Sequence, residues 1–274
     1  MDVFTATSIA MCLAAYRQLS MNSYHLKVRI SSKGINMKLG ILAAGITPDE
    51  LIGEHGSYAD MIIQLLDNTQ SGYSFEVFDV REDEFPAGIN ECDAWVISGS
   101  KFNAYDRVPW MLKLREMVKE IHAAKVPLVG ICFGHQIIAS CFGAELNKFE
   151  GGWGVGLHEY DIKPGFDFVP SDTKKFSLNA IHQDQVLTKP DNAEVFASSE
   201  FCPFAGLVYG DLIFTVQAHP EFNGQFEKEL LVLRGGTTFP EDVTQQGLES
   251  LTTGKDADQS EVASWIAAFL NKHK

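Results

Sequence analysis

Three side chains in this sequence could together perform nucleophilic chemistry on a carbonyl: Cys132, His219 and Glu221. A thiol attacks well only when a base takes its proton, and the base works best beside a group that fixes its tautomer. Cys132 lies in Val126-Pro127-Leu128-Val129-Gly130-Ile131-Cys132-Phe133-Gly134-His135-Gln136, with a glycine two residues away on either side. Most free cysteines are packing residues, so the context has to carry the assignment. His219 and Glu221 close the run Leu212-Ile213-Phe214-Thr215-Val216-Gln217-Ala218-His219-Pro220-Glu221-Phe222. Pro220 disfavours the α region for His219. In extended backbone, residues two apart face the same way, so imidazole and carboxylate should project together.

These residues need elements to position them. Residues 126–131 are apolar and β-branched and read as a buried strand. Residues 136–142 read as a helix stopped by Gly143. A strand, a Gly-x-Cys-x-Gly turn and a helix form a nucleophile elbow, with the cysteine held exposed at the sheet edge. A Cβ at either glycine would crowd the strand or the helix. The helix would turn its positive N-terminal end toward the sulfur. Upstream, residues 38–43, 75–80 and 92–98 read as strands, and residues 57–67 and 106–125 as helices. That alternation predicts an α/β fold with a mostly parallel central sheet covered by helices. Residues 155–162, 194–197, 207–209 and 212–217 lack intervening helices and read as antiparallel additions that carry His219 to the site. Residues 226–234 and 260–270 show helical spacing, separated by a polar, Gly- and Thr-rich loop.

Composition narrows the function. The net charge of −14 over 274 residues argues against non-specific binding to nucleic acid or an anionic membrane. Five cysteines, with no Cys-x-x-Cys pair, fit free thiols in a reducing compartment, and a cytoplasmic location is the expectation. No Cys/His spacing suggests a metal site, and no glycine-rich phosphate or dinucleotide loop is present, so neither metal nor cofactor is expected. His135 belongs to the helix leaving the elbow, while His55, His122 and His158 stand among charges and read as surface residues. No acidic residue occurs between Val3 and Pro48. Residues 1–36 are therefore set apart as an N-terminal extension, peripheral or disordered, and residues 37–274 as a single domain with C-terminal helices.

The run Gly-Ile-Cys-Phe-Gly-His-Gln, followed some way downstream by His-Pro-Glu-Phe, resembles the class I, triad-type glutamine amidotransferases. Asp93-Ala94-Trp95-Val96-Ile97-Ser98-Gly99-Ser100 is similar to that family's strand and small-residue oxyanion loop. His182-Gln183-Asp184-Gln185-Val186 is similar to its His-x-Asp-x-Val segment. The resemblance spans residues 38–222. It implies a flavodoxin-like fold and catalysis by Cys132, His219 and Glu221. It further implies an oxyanion hole from the N–H groups of Phe133 and of Gly99 or Ser100. Gln136 and the Gly152–Gly156 loop, including Gly154, Val155 and Gly156, would hold the glutamyl backbone, although the glycines of that loop fit a plain turn equally well. His182 and Asp184 would lie near the site or form a structural pair. The expected activity is hydrolysis of the γ-amide of glutamine, or of a γ-glutamyl amide or peptide, through a γ-glutamyl thioester. The Ile-Ser-Gly-Ser loop is similar to that of stand-alone γ-glutamyl peptidases. Two alternatives stay open: a glutaminase subunit that passes ammonia to a separate synthetase partner, and a non-catalytic binding relative.

Overall fold

The apolar runs up to the cysteine become four parallel strands in a computed structural model that describes residues 37–274. They are β1 (Lys38–Ala43), β2 (Ser74–Asp79), β3 (Ala94–Ile97) and β4 (Leu128–Ile131). The reading of residues 1–36 lies outside the described residues. Between the strands run α1 (Asp49–His55), α2 (Tyr58–Asp67) and α3 (Pro109–Ala123), and α4 (Phe133–Cys141) leaves β4 directly. Ser57 caps α2 through a reciprocal pair of hydrogen bonds with Asp60, which fixes where that helix starts. Pro109 opens α3, where its missing N–H costs nothing.

Side-chain alternation along the strands sorts the core into two layers. Leu39, Ile41, Val96, Val129 and Ile131 pack with α2 and with the C-terminal helix α7 (Gln259–Asn271). Leu42, Trp95, Ile97 and Leu128 pack on the other face with α3 and α4. Helices on both faces of a largely parallel sheet make this an α/β fold, as the alternation predicts.

The second half of the chain holds β5 (Leu146–Lys148), β6 (Gly154–Ile162), β7 (Lys175–His182), β8 (Asp184–Val186), β9 (Glu194–Ser198), β10 (Gly206–Tyr209) and β11 (Ile213–Val216). The main sheet runs β2-β1-β3-β4-β11-β10-β9-β6-β7, and β5 pairs with β8 in a small separate ribbon. One expectation is corrected here. β11 is not an antiparallel addition: it pairs parallel to β4, Ile213 beside Leu128 and Val216 beside Ile131. The antiparallel part starts at β10 and continues through β9, β6 and β7. The correction matters because parallel strands end at the same edge, so the residues that follow β4 and β11 emerge side by side.

α5 (Gly224–Arg234) and α6 (Glu241–Ser250) complete the chain before α7. The loop expected between the last two helices holds α6 instead. Its buried residues are Thr244 and Gly247, and a Cβ on Gly247 would lie 2.9 Å from Val155 Cγ2. Val243 and Leu248 are its only large apolar side chains and are partly buried against Val155, Leu231 and Phe239, a face too sparse to read from sequence. Among the described residues, no helix is long and apolar enough to cross a membrane.

Candidate active site

Cys132 stands between β4 and α4 with φ 51° and ψ −102°. That conformation is sparsely populated for any residue with a Cβ and signals strain held in place by its surroundings. The surroundings are the two glycines. A Cβ on Gly130 would sit 2.7 Å from the backbone of Gly134, and one on Gly134 would run into the carbonyl of Ile97. β4, α4 and β3 thus meet at backbone distance and force the sharp turn. The helix starts at Phe133, earlier than the sequence suggests, and the N–H of Gln136 donates to the Cys132 carbonyl at 3.0 Å. The N–H groups of the first turn, Phe133 included, have no partner within the helix.

His219 and Glu221 emerge from the neighbouring strand end. The imidazole Nδ1 donates to Glu221 Oε1 at 2.8 Å. That bond leaves Nε2 as the nitrogen available to a thiol. His219 lies parallel to Phe222, ring centroids 4.0 Å apart. Its own N–H donates to the Asn179 carbonyl at 2.8 Å, and Asn179 Nδ2 donates to the Phe222 carbonyl at 2.8 Å. Asn179 of β7 therefore clamps the turn that carries the histidine. Both His219 and Glu221 are buried, not exposed at a strand terminus. Burial also limits Cys132, which is only 5% exposed and meets solvent through the cleft it lines.

Electrostatics separates this histidine from the other two buried beside it. Burial alone would lower the pKa of His219, but the Glu221 carboxylate and the Cys132 sulfur outweigh burial and hold it well above its ordinary value. His135 and His182 have no such carboxylate, and burial pushes each down to about 3. His135 instead shares a 2.8 Å hydrogen bond with Thr215 Oγ1. His55 and His158 are not surface residues either. The His55 side chain is largely buried against Glu229 and Phe226, and His158 packs on Phe201 and Tyr160.

The other expected residues fall into two groups. Ser100, Gln136, His182 and Asp184 line the cleft with Cys132 and His219. Gly99 approaches the imidazole so closely that a Cβ there would lie 2.6 Å from His219 Cε1. Among the described residues, the N–H groups of Gly99 and Ser100 make no backbone hydrogen bond. Gly154, Val155 and Gly156 do not line the cleft. Val155 is buried with Leu231 and Phe239, and the Gly156 N–H donates to the buried Glu227 at 2.9 Å. Trp153 is the member of that segment that faces the cleft.

Gln217 is a residue that the sequence reading passed over. It is fully buried, and its Nε2 approaches Cys132 Sγ at 3.6 Å. Its Oε1 accepts from Gln136 Nε2 at 3.1 Å, and that same nitrogen donates to the Asp184 carbonyl at 2.8 Å. A glutamine two residues before His219, just after a largely apolar strand, is the available signal. The cleft measures about 810 Å³, within the range of small-molecule sites. The candidate metal-binding group Glu54, His55 and Glu229 contributes nothing to its lining.

A strained cysteine at a helix start, next to a carboxylate-held histidine at the carboxyl edge of parallel strands, has the geometry of a nucleophile elbow. Comparison with known proteins narrows the class. The family model for glutamine amidotransferase class-I matches residues 51–234. A glutamine amidotransferase-like protein of Schizosaccharomyces pombe is 30% identical over 250 residues, covering 85% of this chain and 98% of that protein. Gamma-glutamyl peptidase 3 of Arabidopsis thaliana is 30% identical over 185 residues, 65% of this chain and 74% of its own. A crystal structure of a glutamine amidotransferase from Thermotoga maritima superposes with a TM-score of 0.67 at 18% identity, covering 88% of this chain and 99% of that one. The chain belongs to the class I glutamine amidotransferase family.

Proposed function

We propose that this protein hydrolyses the γ-amide bond of glutamine or of a γ-glutamyl amide or peptide through a thioester on Cys132. The observation that carries the reading is the juxtaposition of the strained Cys132 with the Glu221-paired His219 in one cleft. His219 Nε2 takes the thiol proton, and the sulfur attacks the γ-carbonyl carbon. The carbonyl oxygen becomes an oxyanion. The N–H groups of Phe133 and of Gly99 or Ser100 receive it, and one such donor is worth roughly 3–4 kcal/mol in a transition state. As the C–N bond breaks, His219 returns the proton to the leaving nitrogen, and ammonia or an amine departs. A water molecule then gives its proton to His219 and its oxygen to the γ-carbonyl, and glutamate leaves as the thiol re-forms. Glu221 keeps Nδ1 protonated throughout and stabilises the imidazolium.

Gln136 has both amide hydrogens committed to Asp184 and Gln217, so its oxygen is the atom free to accept from a substrate amino group. Trp153 offers a face to the glutamyl chain, in place of the glycines beside it. Glu227 holds the backbone under that loop. Stand-alone hydrolysis is favoured over ammonia delivery by the likeness to gamma-glutamyl peptidase 3 of Arabidopsis thaliana, which covers 74% of that protein. The purified chain, tested with glutamine and a panel of γ-glutamyl peptides, should release ammonia or amine without any partner. The Cys132→Ala variant should be silent on all of them. Release that survives in Cys132→Ala, or that requires an added synthetase, would overturn the reading.

A further inference from the structure

The cleft is larger than a free amino acid requires and continues away from Cys132 along α5. Phe222 stacks on His219, Phe226 follows it at 4.5 Å, and Leu230 and Arg234 line the cleft beyond. Leu230 and Arg234 are one helical turn apart and so lie on the same face. From Phe226 to Arg234 the helix rises about 12 Å, and side chains lean back toward the helix start. Arg234, in the last turn of α5, lines the same cleft as Cys132 and His219.

Arg234 is firmly placed yet has nothing to hold. Its carbonyl accepts from Thr237 Oγ1 at 2.8 Å and from the Thr238 N–H at 2.9 Å. The turn so formed brings Phe239 edge-on to Trp153, centroids 4.9 Å apart, and both rings line the cleft. Among the described residues, every ion pair is made by some other cation, and the Arg234 side chain makes no hydrogen bond. Two lysines also line the cleft, but each is exposed: Lys101 lies over the Phe102 ring and Lys148 stands near Asp184. A half-buried planar guanidinium matches a carboxylate better than either, because it can donate two parallel hydrogen bonds.

We infer that Arg234 is a specificity residue that receives a carboxylate on the leaving side of the substrate, so that the cleft is built for γ-glutamyl peptides rather than for glutamine. The inference rests on the hydrolase reading above and assigns the far end of the same cleft. One leaving residue extends the chain by about 3.5 Å and two by about 7 Å, so both lengths are compatible with an arginine at the end of α5.

The test uses the full chain with γ-glutamyl-alanine, γ-glutamyl-alanyl-glycine, their C-terminal amides, and glutamine. For the wild type, kcat/KM should favour the better free acid over its amide by about tenfold, chiefly through KM, the size of one charge-assisted hydrogen bond. In Arg234→Ala the acid-to-amide ratio should fall to near one, and Arg234→Lys should restore part of it. Because the readout is a ratio, a general loss of folding or activity leaves it unmoved. A wild type indifferent to amidation overturns the inference, and so does an Arg234→Ala variant with the wild-type ratio. The second result would appear if Arg234 held the α-carboxylate of the glutamyl group, since all substrates would then suffer alike. Hydrolysis of glutamine without hydrolysis of any peptide would remove the inference and leave the cysteine chemistry standing. Hydrolysis of none would remove both.

Discussion

Four cysteines occur among the described residues, and their surroundings differ sharply. Burial pushes the thiols of Cys92 and Cys202 up to about 12 and that of Cys141 up to about 11. Cys132 alone lines the cleft and sits beside His219. Because the thiolate is the reactive form, a limiting dose of iodoacetamide should mark Cys132 before the other three, as peptide mass mapping would show. Preferential marking of Cys92, Cys141 or Cys202 would mean that the elbow does not activate its sulfur. Cys132, His219 and Glu221 were legible because each residue type is tied to a backbone device: a glycine-flanked turn, or a proline that holds the strand extended. Gln217 and Asn179 were not. What sets them apart is which neighbour they reach across the sheet, and a polar residue in or just after a strand does not announce its partner.

At the scale of elements, the site depends on how closely three strand ends and one helix approach. Gly99→Ala places a methyl group 2.6 Å from the His219 ring. The ring must shift, and a displacement of that order at a reacting group costs about a hundredfold. The expected result is a loss of that size in kcat with a near-native melting curve, because the added methyl meets the far side of a ring and not backbone. An unchanged kcat would show that Gly99 is further from the imidazole than described.

Glu227 joins β6 to α5, and burial raises its pKa from 4.5 to about 8. Its folded form therefore keeps a proton that the unfolded chain releases, and folding stability falls as pH rises from about 4.5 to about 8. Glu227→Gln keeps an oxygen for the Gly156 N–H and removes the titration. Its melting temperature should change less over that interval than that of the wild type. Parallel curves would mean that Glu227 is not held neutral by the fold. The strands and helices around the cysteine were visible in the sequence because buried parallel strands and amphipathic helices have strong periods. The parallel placement of β11 was not, because a short apolar strand carries no mark of direction. α6 was hidden because Val243 and Leu248 are its only large apolar residues and its fully buried ones are Thr244 and Gly247.

For the whole molecule, the sequence divides by composition at Met37, and the described core begins one residue later with β1. Met37 itself is buried in the layer beneath α2 and α7. A chain starting at Met37 is expected to melt within about 4 °C of the full chain, a limit that corresponds to roughly 1 kcal/mol or somewhat more for a protein of this size. Its kcat/KM should be unchanged. A larger drop would make residues 1–36 part of the stabilising core. The fold itself was legible to the extent that helices alternate with strands, which holds through residue 141 and fails after it. The later strands follow one another without helices between them, and the sheet places β11 beside β4 and β6 beside β9, neighbours that chain order does not announce. The sheet edge formed by β4 and β11 is expected to make a covalent catalyst of Cys132. Rapid acid quenching of the wild type during turnover of a γ-glutamyl peptide, followed by peptide mass mapping, would detect the covalent intermediate. The expected result is a γ-glutamyl mass increment on the peptide containing Cys132, present during turnover and gone once substrate is exhausted. Turnover with no adduct under any quench time, or an adduct on another residue, would contradict it.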